Sequence, residues 1–359
     1  MQTLGKWGVN RRNFLKGTGA AAVALSLGGA GFNRAGFAQS GQVNVYNWDT
    51  YIGDTTLQTF TESTGINVQY DLYANLEEMY AKFQEGNPGY DVIFPSDYMI
   101  ETMVKVGMLE EIDRSKVPNF ANIDPNFLDP SFDPGCKHNV PYFWGSVGLG
   151  YRKSKVEKPD SWKVVFDSDQ YAGRIALLAD ARFVLALALM YLGHSANSTN
   201  AEEIAAARDL LIKQKKNLKA FVPDSGQDML IAGDVDVVME WNGDVLKVMA
   251  EDDDLSYTVP NEGSVVWVDG LCIPKGAPNI DNAYKFINHI HDPKVNAEIA
   301  NTIHYATSNK AARAFVDKAD LENPAVYLPD EIVAKCQALI DVGDALKLYD
   351  EAWTAIQAA

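Results

Sequence analysis

Short apolar segments typical of β-strands alternate along this chain with amphipathic segments typical of helices. Residues 42–47 predict a first strand, residues 54–65 a helix that ends at Gly65, and residues 66–72 a second strand. Repeated strand–helix–strand units produce a mostly parallel sheet with helices on both faces. The alternation therefore places the chain in the α/β class.

A second α/β region is predicted to begin after residues 140–151. It contains three further predicted strands, at residues 174–180, 234–241 and 264–274, and two predicted helices, at residues 201–216 and 279–292. The C-terminal stretch from residue 329 to 359 looks helical. Because about 320 residues exceed the size of a single hydrophobic core, we expect two α/β lobes with a ligand cleft between them.

The first 38 residues are predicted to be an export signal rather than part of the fold. Arg11 and Arg12, followed by Phe14–Lys16, form a twin-arginine motif, and an apolar run rich in Gly and Ala leads to small residues ending at Ala38. We predict export to the periplasm with cleavage near Ala38. The apolar run is too short to favour a membrane anchor.

The exported part of the chain is strongly acidic. The formal net charge is −17 for the whole sequence, and it becomes −22 without residues 1–38, which hold five basic residues and no acidic one. Such a surface repels nucleic acid and anionic lipid and attracts cations. A nucleic-acid partner is therefore not expected.

Motifs of catalysis and of cofactor binding are absent from the sequence. It contains no G-x-S-x-G, H-E-x-x-H, P-loop or G-x-G-x-x-G pattern. We therefore predict a protein that is not an enzyme and that uses no cofactor and no metal ion.

Three cysteines are present in a chain predicted to reach an oxidising compartment. They are Cys136, Cys272 and Cys336, so at most one disulfide can form within the chain. Cys272 lies in an apolar strand and is expected to be buried. If a disulfide forms, the expected pair is Cys136 with Cys336.

Aromatic and acidic side chains stand at the ends of several predicted strands. In VVWVDG, the two-residue period of a strand places Trp267 and Asp269 on one face, about 6.6 Å apart. Similar positions are occupied by Trp48, Asp49 and Tyr51 in YNWDTY, Ser96 and Tyr98 in FPSDYM, Trp241 in EWNGD, and Tyr305 in HYATSN. An aromatic face attracts a cation, and a carboxylate supplies the counter-charge that a buried ammonium group requires. These residues predict a site for a small organic cation.

At these segments the chain resembles the periplasmic spermidine/putrescine-binding proteins, the polyamine-binding components of ABC importers. The resemblance extends from about residue 43 to 350 and is carried by YNWDTY, TGINVQYDLY, YDVIFPSDYM, NIDPNFLDPSFDPG, VPYFWGSVGLGY, VMEWNGD, VWVDGLCIP and HYATSN. It implies a two-lobe, type II periplasmic binding protein with a hinge and an interlobe cleft. It also implies a monomer whose closed form docks on an inner-membrane ABC permease.

The resemblance further implies a division of the chain and a set of ligand contacts. Lobe 1 would comprise residues 41–144 with 270–315, and lobe 2 residues 145–269 with 316–359. Asp269 would be the principal counter-ion and Asp180 a second carboxylate for an amine end. The remaining predicted contacts are Trp48, Asp49, Tyr51, Ser96, Tyr98, Phe183, Trp241, Trp267 and Tyr305.

Three positions depart from the family pattern. Phe183 stands where the family usually has Glu, Leu339 where it has a ligand-contacting Gln, and Thr50 where an acidic residue is often found. A buried ammonium without its carboxylate costs about 3 to 5 kcal/mol, and a long triamine would lose most. The ligand is then either a shorter diamine such as putrescine or another amine-bearing solute.

Other functions remain open from the sequence. A ligand with a carboxylate as well as an amine, such as an amino acid derivative, would need a cationic partner, for which Arg182 is the candidate. A periplasmic hydrolase or lyase on the same scaffold would need a nucleophile–base pair, and none is recognisable. A sensor that passes its ligand-bound state to a membrane receptor fits the same residues.

Overall fold

Eleven β-strands frame the structure, a computed structural model that describes residues 41–359. The strands are β1 (Gln42–Trp48), β2 (Asn67–Tyr73), β3 (Val92–Ile93), β4 (Asn139–Arg152), β5 (Ile175–Leu178), β6 (Leu218–Val222), β7 (Val237–Trp241), β8 (Leu255–Thr258), β9 (Val265–Cys272), β10 (Ala306–Thr307) and β11 (Gln337–Ala338). The predicted export signal lies outside the described residues.

Helices follow most of the strands and pack against the sheet. They are α1 (Thr56–Thr64), α2 (Leu76–Phe83), α3 (Asp97–Lys105), α4 (Lys163–Phe166), α5 (Ala181–Tyr191), α6 (Ala201–Lys215), α7 (Gly226–Ile231), α8 (Asn242–Met249), α9 (Ile280–Ile290), α10 (Pro293–Ile303), α11 (Lys318–Leu321), α12 (Asp330–Val333) and α13 (Leu346–Ala358). The alternating α/β pattern predicted from the sequence is confirmed.

The order of the strands identifies two groups of parallel strands. The main path runs β2-β1-β3-β9-β4-β7-β5-β6. Strand β1 pairs parallel with β2 and β3, and β5 pairs parallel with β6 and β7. Between these groups, β9 and β4 run antiparallel to each other and to their outer neighbours. Each parallel group therefore presents its own set of carboxyl strand ends.

Strand β4 belongs to both groups. Its residues up to Ser146 pair with β9, whereas those from Val147 onward pair with β7 and β8. The lobe boundaries given above, at residues 144/145 and 269/270, fall within β4 and β9. This division into lobes stays a prediction.

Local sequence signals account for the ends of the first helices. Gly65 ends α1 in the left-handed conformation (φ 71°), and its N–H donates to the Thr61 carbonyl oxygen at 2.8 Å. Asn75 caps α2 by accepting a hydrogen bond from the Glu78 N–H at 2.8 Å. The end of α1 at Gly65 agrees with the sequence prediction.

The prediction of a helical C-terminal stretch is wrong in its first half. Within residues 329–359, the four-residue helix α12 is followed by β11, which pairs parallel with the start of β9. Only α13 forms a longer helix. A tertiary pairing therefore overrides the local preference of this segment.

The three cysteines are unpaired in the described residues. Cys272 is buried, as expected, but the expected pairing of Cys136 with Cys336 is not formed. Cys336 adjoins β11, which pairs with the first residue of β9, whereas Cys272 ends β9 and pairs with Asn139, close to Cys136. The length of β9 separates these positions by about 23 Å at the rise of a strand.

Within residues 41–359, none of the helices has the length and apolar character needed to cross a membrane.

Candidate functional site

A cavity of about 350 Å³, measured out to its open mouth, lies where several strands end. Ten residues line it: Trp48, Asp49, Tyr51, Ser96, Asp224, Trp241, Asp244, Trp267, Asp269 and Tyr305. Eight of them are among the eleven residues predicted from the sequence.

Asp269 forms one end of the cavity. Its side chain is buried, and its Oδ1 accepts a hydrogen bond from the Ser96 hydroxyl at 2.5 Å. Burial raises the pKa of Asp269 to about 7, although its interactions with the Ser96 and Tyr51 hydroxyls act in the opposite direction. A buried carboxylate with a raised pKa gains stability when a cation enters beside it.

Aromatic rings form the walls and hold one another in place. Trp267 lies 5.9 Å from Trp241 and 5.2 Å from Tyr305, measured between ring centroids. Tyr51 lies 5.5 Å from Tyr305, and Trp48 lies 6.4 Å from Trp241. All four contacts are edge-to-face, the geometry that aromatic pairs prefer. Their contacts with one another position these rings before any ligand binds.

Asp244, in the first turn of α8, forms the other end. Its Oδ2 accepts a hydrogen bond from the Tyr305 hydroxyl at 2.6 Å, and its Oδ1 lies 3.4 Å from the Thr50 hydroxyl, which donates to it. Burial raises the pKa of Asp244 to about 6, and the Tyr305 hydrogen bond opposes that shift. The cavity thus has a carboxylate at each of two ends.

Two further carboxylates adjoin Asp244. Oxygen atoms of Asp224, Glu240 and Asp244 lie within 4.8 Å of one another. Glu240 is fully buried and accepts hydrogen bonds from the backbone N–H groups of Gly226 and Trp241, both at 3.0 Å. An all-oxygen set of this kind can hold an ammonium group or a hard metal cation.

Three predicted site residues do not line the cavity. Phe183 is fully buried, and its ring lies 4.7 Å from Trp241 and 6.3 Å from Tyr98. Tyr98 is also buried and lines a separate space together with Arg182. Asp180 caps α5 by accepting a hydrogen bond from the Phe183 N–H at 3.2 Å. Phe183 therefore packs against one cavity residue, Trp241, and against Tyr98, which lies outside the lining.

Arg182 is engaged elsewhere in the fold. Its guanidinium donates to the Asn197 Oδ1 at 3.0 Å and to the Ile340 carbonyl oxygen at 3.3 Å. It also lies over the Tyr349 ring, 4.4 Å from the ring centroid. No lysine or arginine of the described residues lines the cavity. A ligand carboxylate would find no cationic partner there.

A model of the bacterial extracellular solute-binding protein family matches residues 55–326, most of the chain. The chain belongs to this family. A second model, that of the twin-arginine translocation signal, matches residues 8–28. The predicted export of this solute-binding protein to the periplasm is therefore confirmed.

Individual relatives of this solute-binding protein agree with the family match. A spermidine/putrescine-binding periplasmic protein of Salmonella typhimurium is 36% identical over 345 residues, covering 94% of this chain and 97% of the relative. A putrescine-binding periplasmic protein of Pseudomonas aeruginosa is 30% identical, covering 96% of this chain and 99% of the relative. A solved Listeria monocytogenes structure, described as a spermidine/putrescine ABC transporter, has a TM-score of 0.85 at 34% identity and covers 89% of this chain and 99% of that chain.

These relatives confirm three predictions for the solute-binding protein. The fold is that of a two-lobe, type II periplasmic binding protein with a hinge and an interlobe cleft. The resemblance to the polyamine-binding proteins of ABC importers holds over most of the chain. The relatives are transport proteins that bind solutes rather than enzymes.

Sequence analysis of the solute-binding protein missed two cavity residues, Asp224 and Asp244. Asp244 lies three residues after Trp241, at the end of β7, so its position beside a predicted strand end could have identified it. Asp224 follows β6, whose sequence LKAFV gives no distinctive pattern. No comparable signal points to Asp224.

Replacing Gly243 by alanine is expected to distort the Asp244 end of the cavity. A Cβ atom at this position would lie 2.4 Å from the Tyr305 Cε2 and 2.6 Å from the Ile303 carbonyl oxygen. Overpacking of this kind costs about 1 to 3 kcal/mol of the free energy of unfolding. Because Tyr305 must move, its hydrogen bond to Asp244 should also weaken and reduce ligand affinity. Urea unfolding and calorimetric titration measure the two effects, and unchanged values in both would contradict the packing described here.

Proposed function

We propose that this solute-binding protein delivers a polyamine from the periplasm to an inner-membrane ABC importer, and that the cavity between Asp269 and Asp244 holds the ligand. The observation that carries the proposal is a box of aromatic rings with a carboxylate at each end and no basic residue among its described lining. Each ammonium group needs a counter-charge once it leaves water, and methylene groups pack well on aromatic faces. An aliphatic diamine matches both requirements.

The length of the ligand is proposed from the position of Phe183. This ring packs against Trp241, which lines the cavity, and against Tyr98, which does not. Leu339, another departure from the family pattern, is also buried. A ligand that extends past Phe183 would have to displace a packed ring. We therefore propose a putrescine-sized unit as the part of the ligand held in the box.

Lobe closure is proposed to complete the site. In the predicted division, Trp48 and Thr50 belong to lobe 1, and Trp241 and Asp244 to lobe 2. The Thr50 hydroxyl and the Asp244 carboxylate lie 3.4 Å apart, and the Trp48 and Trp241 rings 6.4 Å apart. A ligand that contacts both groups stabilises the closed form and shifts the population towards it. A monomer in the closed form is the species proposed to dock on the permease.

Three other functions are less well supported by the site. An amino acid derivative would bring a carboxylate into a cavity lined by Asp49, Asp224, Asp244 and Asp269, with Arg182 turned to other partners. A hydrolase or lyase would use the Ser96 hydroxyl, which donates to Asp269, as its nucleophile, but the relatives are solute-binding transport proteins rather than enzymes. A receptor-coupled sensor would use the same ligand site and would differ only in its membrane partner.

Isothermal titration against a panel of amines tests the proposal. The protein is purified from the periplasm, freed of carried-over ligand by unfolding and refolding, and titrated with putrescine, cadaverine, spermidine, spermine, γ-aminobutyrate and arginine. We expect micromolar or tighter binding of putrescine and no binding of γ-aminobutyrate, because its carboxylate would face Asp244 or Asp269. Binding of γ-aminobutyrate or arginine with no response to the four amines would contradict the proposal. Chemical turnover of a bound amine, followed by NMR, would contradict it as well.

A further inference from the structure

Four residues other than glycine have a left-handed backbone within residues 41–359. They are Thr50 (φ 50°), Cys136 (φ 46°), Asp224 (φ 35°) and His304 (φ 56°). This region is sterically unfavourable for L-residues, and a β-branched residue such as Thr50 rarely adopts it. Such residues concentrate at functional sites, where the surrounding structure holds them in place. Three of the four lie next to Asp244 or next to a residue that binds it.

Thr50 reaches Asp244 through its side chain. The Thr50 hydroxyl donates to the Asp244 Oδ1 at 3.4 Å. The Thr50 backbone N–H donates to the Asp49 Oδ1 at 2.8 Å, directly after the end of β1. The left-handed turn therefore places one side chain on Asp244 and is itself held by a neighbouring carboxylate.

His304 acts on Asp244 through the next residue, Tyr305. His304 ends α10, and its N–H donates to the Ala300 carbonyl oxygen at 2.8 Å. Glycine is the usual residue at a left-handed helix end. Histidine adds a side chain there, and its Nδ1 lies 2.9 Å from the Asp320 Oδ2 in α11. This contact fixes the direction in which the chain leaves α10. Tyr305 then donates to the Asp244 Oδ2 at 2.6 Å.

Asp224 holds a second carboxylate beside Asp244 from its own left-handed turn. Oxygen atoms of the two residues lie within 4.8 Å of each other. Burial and, next, the charge of Asp244 raise the pKa of Asp224. The two carboxylates therefore repel each other when both are ionised. The fold keeps the Asp224 turn in place against this repulsion.

The helix that carries Asp244 also has little room to move. A Cβ atom on Gly243, the preceding residue of α8, would lie 2.6 Å from the Ile303 carbonyl oxygen at the end of α10. The backbones of the two helices thus approach each other closely. Both oxygens of Asp244 accept a hydrogen bond, one from Thr50 and one from Tyr305. The carboxylate is fixed before any ligand binds.

We propose that Thr50 and His304 are positioning residues that fix the spacing between the Asp244 and Asp269 carboxylates and so determine the length of diamine that the box accepts. A rigid pair of anchors favours the amine whose nitrogen spacing matches it, whereas a mobile anchor adapts to several lengths. This inference rests on the proposed function, because it concerns the selectivity of the same site.

Titrations with putrescine and cadaverine, which differ by one methylene group, test the inference. The wild-type protein should bind putrescine at least about tenfold more tightly, the effect of one methylene group in a fitted site. In Thr50→Gly and in His304→Gly the left-handed turn stays accessible, but the side-chain contact and the rigidity are lost. We expect putrescine affinity to fall about three- to tenfold and cadaverine affinity to change less than about twofold. The preference should therefore fall to about threefold or less.

Thermal unfolding of the empty variants separates positioning from general damage. Glycine relieves the steric cost of the left-handed backbone, and this gain offsets the lost side-chain contact. The melting temperature should therefore change by less than about 3 °C. Asp320→Ala removes the partner of His304 without altering the backbone at position 304. It should lower the preference about two- to fivefold, and it decides the test if a glycine variant does not fold.

Cys136→Gly is the matched control. Cys136 has the same left-handed backbone but lies outside the cavity lining, and its thiol donates to the Phe127 carbonyl oxygen at 3.1 Å. This variant should keep the wild-type preference for putrescine over cadaverine, whatever its effect on the melting temperature. An equal loss of preference in Cys136→Gly would attribute the effect to overall stability and overturn the inference.

The remaining outcomes distinguish this inference from the proposed function. A wild-type protein that binds putrescine and cadaverine equally well would overturn the inference and leave the proposed function intact. Unchanged preference in Thr50→Gly, His304→Gly and Asp320→Ala, or equal losses for both diamines, would also overturn it. Absence of binding of any amine by the wild-type protein would reject the proposed function itself.

Discussion

Replacing Asp269 by asparagine is expected to weaken putrescine binding at least about a hundredfold. The substitution keeps the size of the side chain and its capacity to accept the Ser96 hydrogen bond, but it removes the charge opposite one ammonium group. A buried ammonium without a counter-charge costs about 3 to 5 kcal/mol. Isothermal titration measures the loss. The melting temperature of the empty protein should stay the same or rise, because burial disfavours the Asp269 carboxylate and raises its pKa to about 7.

A second buried aspartate serves as the control for this prediction. Asp97 is 1% exposed and lies on α3, outside the cavity lining. Asp97→Asn should therefore retain most of the putrescine affinity. Full affinity in Asp269→Asn would locate the ammonium site elsewhere in the protein.

Lowering the pH is expected to weaken putrescine binding strongly below neutrality. Burial raises the pKa of Asp269 to about 7 and that of Asp244 to about 6 in the empty protein, so both take up protons as the pH falls. A bound ammonium group requires the ionised carboxylate, whereas the amine stays protonated throughout this range. The dissociation constant should rise by up to about tenfold per pH unit between pH 7 and 6, and more steeply below pH 6. Titrations at pH 8, 7, 6 and 5.5 measure this dependence.

The same groups predict how the stability of the empty protein changes with pH. Both folded-state pKa values are raised, so the contribution of these groups to stability is present below about pH 4 and is lost as the pH rises through 6 and 7. The bound ligand stabilises the charged form instead. The increase in melting temperature on adding putrescine should therefore be larger at pH 8 than at pH 5.5. An equal increase at both values, together with a flat dissociation constant, would contradict the raised pKa values.

The strand pattern predicted much of the candidate site because residues at the strand ends belong to the sheet and also line the cavity. Trp267 and Asp269 follow from the two-residue period of β9, and Trp48 and Trp241 from the ends of β1 and β7. Asp224 could not be found in this way. Asp224 follows β6 and reaches the cavity because of where β6 lies in the sheet. That position depends on the long-range pairing of β6 with β5.

The directions of side chains beyond the strand ends could not be predicted from the sequence either. Tyr98 and Asp180 resemble family ligand contacts, but neither lines the cavity, and Tyr98 packs against Phe183. The replacement at position 183 was visible, whereas the packing of its ring against Trp241 required the tertiary structure. Similarly, β11 forms because it pairs with β9, and no local sequence pattern in residues 329–345 predicts this strand.

The ring contacts in the cavity wall have a consequence for how ligand preference can evolve. Trp267 contacts both Trp241 and Tyr305, and Tyr305 contacts Tyr51, so a change in any one ring removes support from its neighbours. Substitutions within such a group are expected to be non-additive. A lineage would therefore reach a new specificity more readily by exchanging the carboxylates at the ends of the box, while its aromatic walls are inherited as a unit.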